Sequence, residues 1–358
     1  MSFYVYQLVV VLILGHMASR CRRTSLAWWL FWSLVFLSLF VPAAIRYDIG
    51  TDYYKVYVPE FFSTEPDMGV NRWEPGFVAI ADFVLNHRLD VQWMFAISSF
   101  ITYMLVLLAF PRKGFHLCLF GYFVACYLSS YNGVRQHIGI GFALLAFMFQ
   151  GRGQWVLPIF LVACGCLFHL SLAICLPIAI GVMIAGKMRT KALLAVFAAV
   201  FLLSLAFNPV QVALDIANKV PVLAKYTVYA IKEEQMAKSG TTGLGHLLWI
   251  MIFLVQAVLL LFRTKSPFNR RIAIWCLVAV VFRAMNIHAT ILERFYMTAS
   301  AVLPFSLMAT KRACKDFRDK IIFCGIVFMV LLAFFHSYGF DSNVTGPDEV
   351  LPYRTIFD

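Results

Sequence analysis

An arginine and two aspartates interleaved with tyrosines, Arg46-Tyr47-Asp48-Ile49-Gly50-Thr51-Asp52-Tyr53-Tyr54, interrupt a sequence that is otherwise largely apolar. The chain is 62% hydrophobic and 13% charged, so a cluster of charge needs water, an ion pair or a ligand to compensate it. One reading is a solvated loop in which Arg46 pairs with its own aspartates, an interaction of small energetic weight. The other is a site for an anionic, hydroxyl-rich ligand at a membrane surface. Arginine suits phosphate oxygens because its guanidinium presents a planar fork of donors.

Further polar constellations recur along the chain. Ser129-Ser130-Tyr131-Asn132-Gly133-Val134-Arg135-Gln136-His137 precedes a run of small residues, GIGFALLAF. Arg135 opens a helix there, where it can snorkel to lipid phosphates or join the helix N-terminus in holding an anion. Asn132, Gln136 and His137 all need partners if buried. His169 falls where two short apolar runs meet, as a structural histidine of a turn or as a general base. Arg283 lies deep enough in an apolar run to need a partner, and Glu293 is suited to it, whereas Arg294 beside Phe295 is the stronger candidate for function. The tail returns Val350-Leu351-Pro352-Tyr353-Arg354, apolar and aromatic, and is expected to dock against the outer face.

The elements that must position these residues follow from hydropathy. Mean hydropathy of +0.81, 35 Phe and repeated apolar runs of about 17 to 22 residues imply an all-α, polytopic integral membrane helical bundle. Spans are expected near 2–18, 26–45, 91–110, 115–131, 135–150, 154–168, 170–186, 191–208, 244–262, 271–288, 293–310 and 321–337, about twelve in one transmembrane domain covering 1–358. The first is read as a span and not a signal peptide, because no cationic region precedes it. Basic residues gather in alternate short loops, at 20–23, 112–113, 152, 187–191, 263–271 and 311–320, which places those loops in the cytoplasm. The net charge of +12 therefore reports topology and implies no nucleic-acid partner. The outer loops 46–90 and 209–243 and the outer tail 337–358 are the expected lids and substrate-binding elements. Within the first of them, GFVAIADFVLNHR at 76–88 is too short to cross and follows Glu74-Pro75, a good helix start, so an interfacial half-helix is expected there. No cysteine lies in an outer loop, and Cys164-Gly165-Cys166 lacks the four-ligand pattern of a structural zinc site.

The order RYDIGTDYYKVY, NRWEPGF, NGVRQHIGIGFALLAF, LFHLSLAICLP, ERFYM and LPYR resembles the EpsG-type polysaccharide polymerases, a branch of the Wzy polymerases of O-antigen, capsule or exopolysaccharide. The resemblance covers nearly the whole chain. It implies a GT-C-like fold in the bacterial cytoplasmic membrane. It also implies a glycosyltransferase that moves a growing glycan from undecaprenyl diphosphate to the next lipid-linked repeat unit at the outer face. Its partners would be the undecaprenyl-diphosphate-linked oligosaccharide and the lipid bilayer, with a chain-length regulator and a flippase beside it.

In such a reaction negative charge grows on the departing diphosphate, which Arg46, Arg135 and Arg294 are expected to stabilise together. His169, Asp48, Asp52 and Glu74 are the candidates to take the acceptor proton. Tyr47, Tyr53, Tyr54 and Trp73 suit sugar stacking or anchoring at the interface, and Asn132, Gln136, Arg283 and Tyr353 complete the expected substrate contacts. Asp48 and Asp52 are hard oxygen ligands, yet two carboxylates beside an arginine do not make a metal site, and no cofactor is expected. A transporter of the same lipid-linked glycans, or a ligase using the same donor, are the competing functions. Charges at the ends of spans and no detectable internal repeat favour an enzyme working at one face.

Overall fold

The computed structural model describes residues 1–62, 73–206, 243–288, 292–338 and 350–357. The expected segment 209–243 lies almost wholly outside the described residues, as do Asn71 and Arg72 of the NRWEPGF stretch and most of the tail before Val350. Among the described residues the chain is all-helical, with no strand.

Helices occupy the apolar runs in order. They are α1 (Ser2–Arg20), α2 (Leu26–Ile45), α3 (Val58–Phe62), α4 (Pro75–Asn86), α5 (Gln92–Ala109), α6 (Phe115–Tyr122), α7 (Val134–Gly151) and α8 (Val156–Cys166). After them come α9 (Cys175–Ala185), α10 (Thr190–Ala206), α11 (Leu244–Arg263), α12 (Pro267–Met285), α13 (Glu293–Ser300), α14 (Leu303–Ala313) and α15 (Phe317–Tyr338). Among the described residues α1, α2, α5, α11 and α15 are long and apolar enough to cross a membrane. Others are shorter or interrupted: α6 runs into a π-helical turn at Phe123–Tyr127, a 3-10 turn follows at Ser129–Tyr131, and another 3-10 stretch, Leu170–Ile174, precedes α9. The half-helix expected after Glu74-Pro75 is α4. Pro75 sits in its first turn, where its missing N–H costs nothing, and Phe77, Ile80, Ala81 and Val84 are buried while Asp82 and Asn86 are exposed.

The chain divides into two compact units, Met1–Ala179 with Leu303–Met308 and Phe334–Asp358, and Ile180–Val302 with Ala309–Ala333. In the first, Pro42 inside α2 shapes the packing. Proline cannot donate to the carbonyl four residues earlier, so Ser38 O is left open. Gln7 of α1 fills that vacancy, its Nε2 donating to Ser38 O at 2.7 Å, and Tyr127 donates to the neighbouring Leu39 O at 3.0 Å. A sequence feature that weakens one helix thus becomes the docking point of two others.

The loop after α2 is held by a second latch. Gly50 has φ of +97°, a left-handed conformation that disfavours other residues, and a Cβ there would lie 2.7 Å from Tyr131 O. This close approach lets Asn132 Oδ1 accept from both Thr51 Oγ1 at 2.7 Å and Asp52 N at 2.9 Å. The GTD and YNG stretches are therefore one joint, 80 residues apart in sequence. Tyr53, Tyr57 and Phe61 extend it into a core shared with Phe77, Met94, Phe95 and Ile138.

In the second unit α11 packs along α12. Ser266 caps α12 by accepting from Asn269 N, and Pro267 opens its first turn. Arg270, from one of the basic loops, donates to Gly186 O at 2.9 Å and Thr190 Oγ1 at 3.0 Å, satisfying a carbonyl just past the end of α9. Asp319, 2% exposed, pairs with Arg263 at 3.1 Å.

Replacing Gly50 by Ala forces a left-handed alanine against a backbone oxygen and is expected to destabilise the protein by ~1–3 kcal/mol. Thermal unfolding in detergent checks it; an unchanged midpoint would show that the loop can detach from Tyr131 without cost.

Candidate functional site

Arg46 ends α2, where the backbone turns extended (φ −60°, ψ 143°) and the guanidinium folds back into the helix bundle. It is 1% exposed. Its charged plane lies between two rings, with Cζ 4.7 Å from the centroid of Phe95 and 5.1 Å from that of Tyr131. Such cation–π contacts strengthen when the site is desolvated, though each is worth only about 2 kcal/mol. Nη1 donates to Ala43 O and lies 3.5 Å from Ser99 Oγ. Among the described residues Nε and Nη2 have no hydrogen-bond partner and no carboxylate pairs with Arg46. The pairing of Arg46 with Asp48 or Asp52, one of the two readings of this loop, is not formed.

The backbone around Arg46 is clamped from two directions. Gln92 at the start of α5 donates through Nε2 to Arg46 O at 3.1 Å and to Ala44 O. The tail forms an antiparallel bridge between Arg46 and Thr355, with Tyr47 N donating to Arg354 O at 3.1 Å and Ile356 N to Ile45 O at 3.0 Å. Tyr353 stacks on Phe3 at 4.0 Å and donates to Pro42 O at 3.0 Å, while Tyr4 donates to Val350 O at 2.9 Å. The described end of the tail thus docks on α1 and the end of α2.

A second cluster forms where α4, α7 and the turn after α8 meet. Glu74 precedes Pro75, and Gly76 lets the chain approach so closely that a Cβ would lie 2.8 Å from Leu167 O, the acceptor of Gly76 N at 2.7 Å. This contact brings Glu74 to the turn that carries His169. Glu74 Oε2 accepts from Arg135 Nη1 at 2.8 Å, Oε1 accepts from Leu170 N at 3.0 Å, and His169 Nδ1 lies 3.3 Å from Oε1. Burial alone would raise the Glu74 carboxyl, but the nearby His169 ring, the charge of Arg135 and the hydrogen bond from Leu170 N outweigh it and hold the value at about 2. Arg135 is therefore balanced by a carboxylate, as Arg46 is not. Its charge also interacts with Tyr57.

The other expected residues divide into latches, walls and a separate group. Asn132 is the loop latch, and His137 is a buried structural histidine, with Nδ1 2.9 Å from Gly133 O and Nε2 3.1 Å from Ser129 Oγ. Gln136 is buried beside it on α7. Tyr53 stacks on Phe95 at 4.8 Å, which ties it to the Arg46 sandwich, and Tyr54 donates to Tyr47 at 2.8 Å. Asp48 is exposed, at φ 50°, and reaches Arg354 at 3.5 Å. Asp52 is half-buried beside its Asn132 contact, and Trp73 packs edge-on to Phe77 at 5.1 Å. In the second unit Arg283 binds both oxygens of Glu293, at 3.1 and 2.9 Å, and lies 4.7 Å from the Tyr296 ring, so the expected structural pair is formed. Arg294 is exposed on α13. Sequence reasoning missed Gln92, Phe95 and Ser99. The one available signal was Ser98, Ser99, Thr102 and Tyr103 at helical spacing in an otherwise apolar span, all of them buried.

These features define a helical membrane protein with an uncompensated buried cation beside its first long loop. The EpsG family model matches residues 29–355, and the chain belongs to that family. Membership carries with it a polysaccharide-polymerase type of role. No curated protein and no solved structure gives a match.

Because the folded Glu74 value lies below its ordinary 4.5, its pairing stabilises the fold fully above pH 4.5 and that contribution is lost as pH falls towards about 2. The gap in thermal stability between wild type and Glu74→Gln, on the order of 1–3 kcal/mol, should be constant from pH 7 to 5 and narrow below. A gap that stays constant down to pH 3 would show that Glu74 is not the titrating anchor.

Proposed function

We propose that this protein polymerises lipid-linked oligosaccharide repeat units, transferring the growing glycan from undecaprenyl diphosphate to the next repeat unit at the outer face of the cytoplasmic membrane. The observation that carries the reading is Arg46, a permanent charge with two donor nitrogens unpartnered among the described residues. A guanidinium cannot neutralise itself by losing a proton, so an anion is the species that completes such a site. In the reaction an acceptor hydroxyl attacks the anomeric carbon of the donor. The bond from that carbon to the diphosphate oxygen breaks, and its electron pair remains on the diphosphate, where Arg46 stabilises it.

The acceptor proton needs a base. Glu74, held at about 2, is too weak a base near neutrality and instead anchors Arg135 and His169. Asp48 is exposed and occupied with Arg354. In this reading His169, whose Nδ1 lies 3.3 Å from Glu74 Oε1, is the proton acceptor. Arg135 then shapes the pocket through Glu74. The expected twelve spans and GT-C-like arrangement belong to the same proposal.

Reconstituted protein supplied with polyprenyl-diphosphate-linked repeat units should make a ladder of longer lipid-linked glycans. Arg46→Ala is expected to lower turnover by about 10²–10³-fold, and Arg46→Lys should not restore it, because a point charge does not reproduce the fork between two rings. A wild type that moves the lipid across vesicles without extending it would make this a transporter. Transfer to a different acceptor in place of the next repeat unit would make it a ligase.

A further inference from the structure

Beside Arg46 lies a groove of about 860 Å³, formed by the last turns of α2, the π-helical turn Tyr53–Tyr57 with α3, the start of α5 and the tail residue Ile356. We propose that this groove holds the isoprenoid chain of the lipid carrier, the first units next to the diphosphate; the assignment rests on the polymerase reading for the identity of that carrier. Three observations argue for it.

The groove flanks the Arg46 site, with the guanidinium itself behind its wall. Ala44 and Ile45 precede Arg46 directly, Gln92 holds its carbonyl, and Tyr53 in the wall stacks on the same Phe95 ring that faces the guanidinium. From there the wall extends to Phe40 in α2, six residues or about 9 Å along the helix, and to Ala96 in α5, so the groove begins at the chain neighbours of the buried charge and follows two helices long enough to span. A ligand with an anionic head and an apolar tail fits that gradient.

The polar groups of the wall are turned to one another. Gln92 Nε2 donates to Ala44 O and Arg46 O while its Oε1 lies 3.3 Å from the Tyr53 hydroxyl. Asp90 at the exposed rim accepts from Gln92 N at 2.8 Å, and Tyr54 donates to Tyr47. A sugar ring would need hydrogen bonds from such a wall, and these side chains already make theirs internally. What they offer is apolar area, which suits hydrocarbon. The tyrosines of the loop, expected to stack on sugar, therefore serve the lipid side of the substrate.

The wall is also aromatic, with Phe40, Tyr47, Tyr54, Phe62 and Trp93 presenting rings, of which Phe62 and Trp93 are more than half exposed. Such rings bury a large apolar area, and the alkene units of an isoprenoid present planar faces that can lie against them.

The test uses the full chain in phosphatidylglycerol nanodiscs and a photoreactive polyprenyl diphosphate with the diazirine near the head. Adducts are expected on 40–62 and 90–96, suppressed by unlabelled polyprenyl diphosphate and not by added phosphatidylglycerol. Ala96→Trp, which fills the groove, should cut labelling and raise KM for the lipid-linked donor about tenfold with kcat little changed. Trp93→Ala alters an exposed wall residue without crowding the core and should also lower labelling. Adducts elsewhere, equal competition by phosphatidylglycerol, or labelling and KM untouched by both variants would overturn the assignment. A labelled groove in a wild type that builds no longer glycan would leave the isoprenoid site standing and remove the polymerase reading. Longer glycan with an unlabelled groove would do the reverse.

Discussion

A guanidinium buried to 1% exposure, with no carboxylate beside it among the described residues, is the constraint around which the first unit is arranged. Desolvating a charge of this kind costs several kcal/mol even after relaxation. What offsets that cost here is partial: two ring faces, the Ala43 carbonyl and the distant Ser99 hydroxyl. The surroundings must therefore be rigid, since any loosening would let Arg46 swing to water. The clamps follow from that need. Gln92 fixes the carbonyl of Arg46, and the tail bridge fixes the chain on either side of it. Pro42 supplies a free carbonyl at Ser38 that locks α1 against α2 below.

The contrast between the two arginines of this unit separates their roles. Arg135 has a carboxylate at 2.8 Å, and the same carboxylate receives Leu170 N and lies near His169. A cation so balanced offers less to an incoming anion than it does to the shape of its surroundings. Arg46 lacks any such balance among the described residues, and its field is not cancelled locally. In a site of low dielectric an uncancelled charge acts strongly on a diphosphate as its bond breaks. The second unit repeats the balanced arrangement, with Arg283 engaged by Glu293 and Tyr296.

Two glycines make these clusters possible, and both act through absence of a side chain. Gly50 lets the first loop lie against Tyr131, so that Asn132 can take two donors from it. Gly76 lets the start of α4 touch Leu167 and carries Glu74 to His169. Each joins segments that are 80 residues or more apart in sequence, and each trades the larger entropy of glycine for a contact no other residue permits. The family match across residues 29–355 covers both of these joints.

The helical class and the places of many helices were written in the sequence, because hydropathy is a local sum and caps, prolines and short apolar runs act over a few residues. The short α4, the turn at His169, the docking tail and the Arg283–Glu293 pair are all of this kind. Partner choice was not. Arg46 with Asp48, Arg46 with Asp52, and Arg135 with an external phosphate are equally compatible with spacing, and only the folded chain separates them. The reason is that a pairing depends on which backbone comes within about 3 Å, and here that was decided by Gly50 against Tyr131 and Gly76 against Leu167. Gln92, Phe95 and Ser99 escaped notice for the same reason: in a span they look like filler, and they acquire a role when α5 packs along α2 and brings them against the end of that helix.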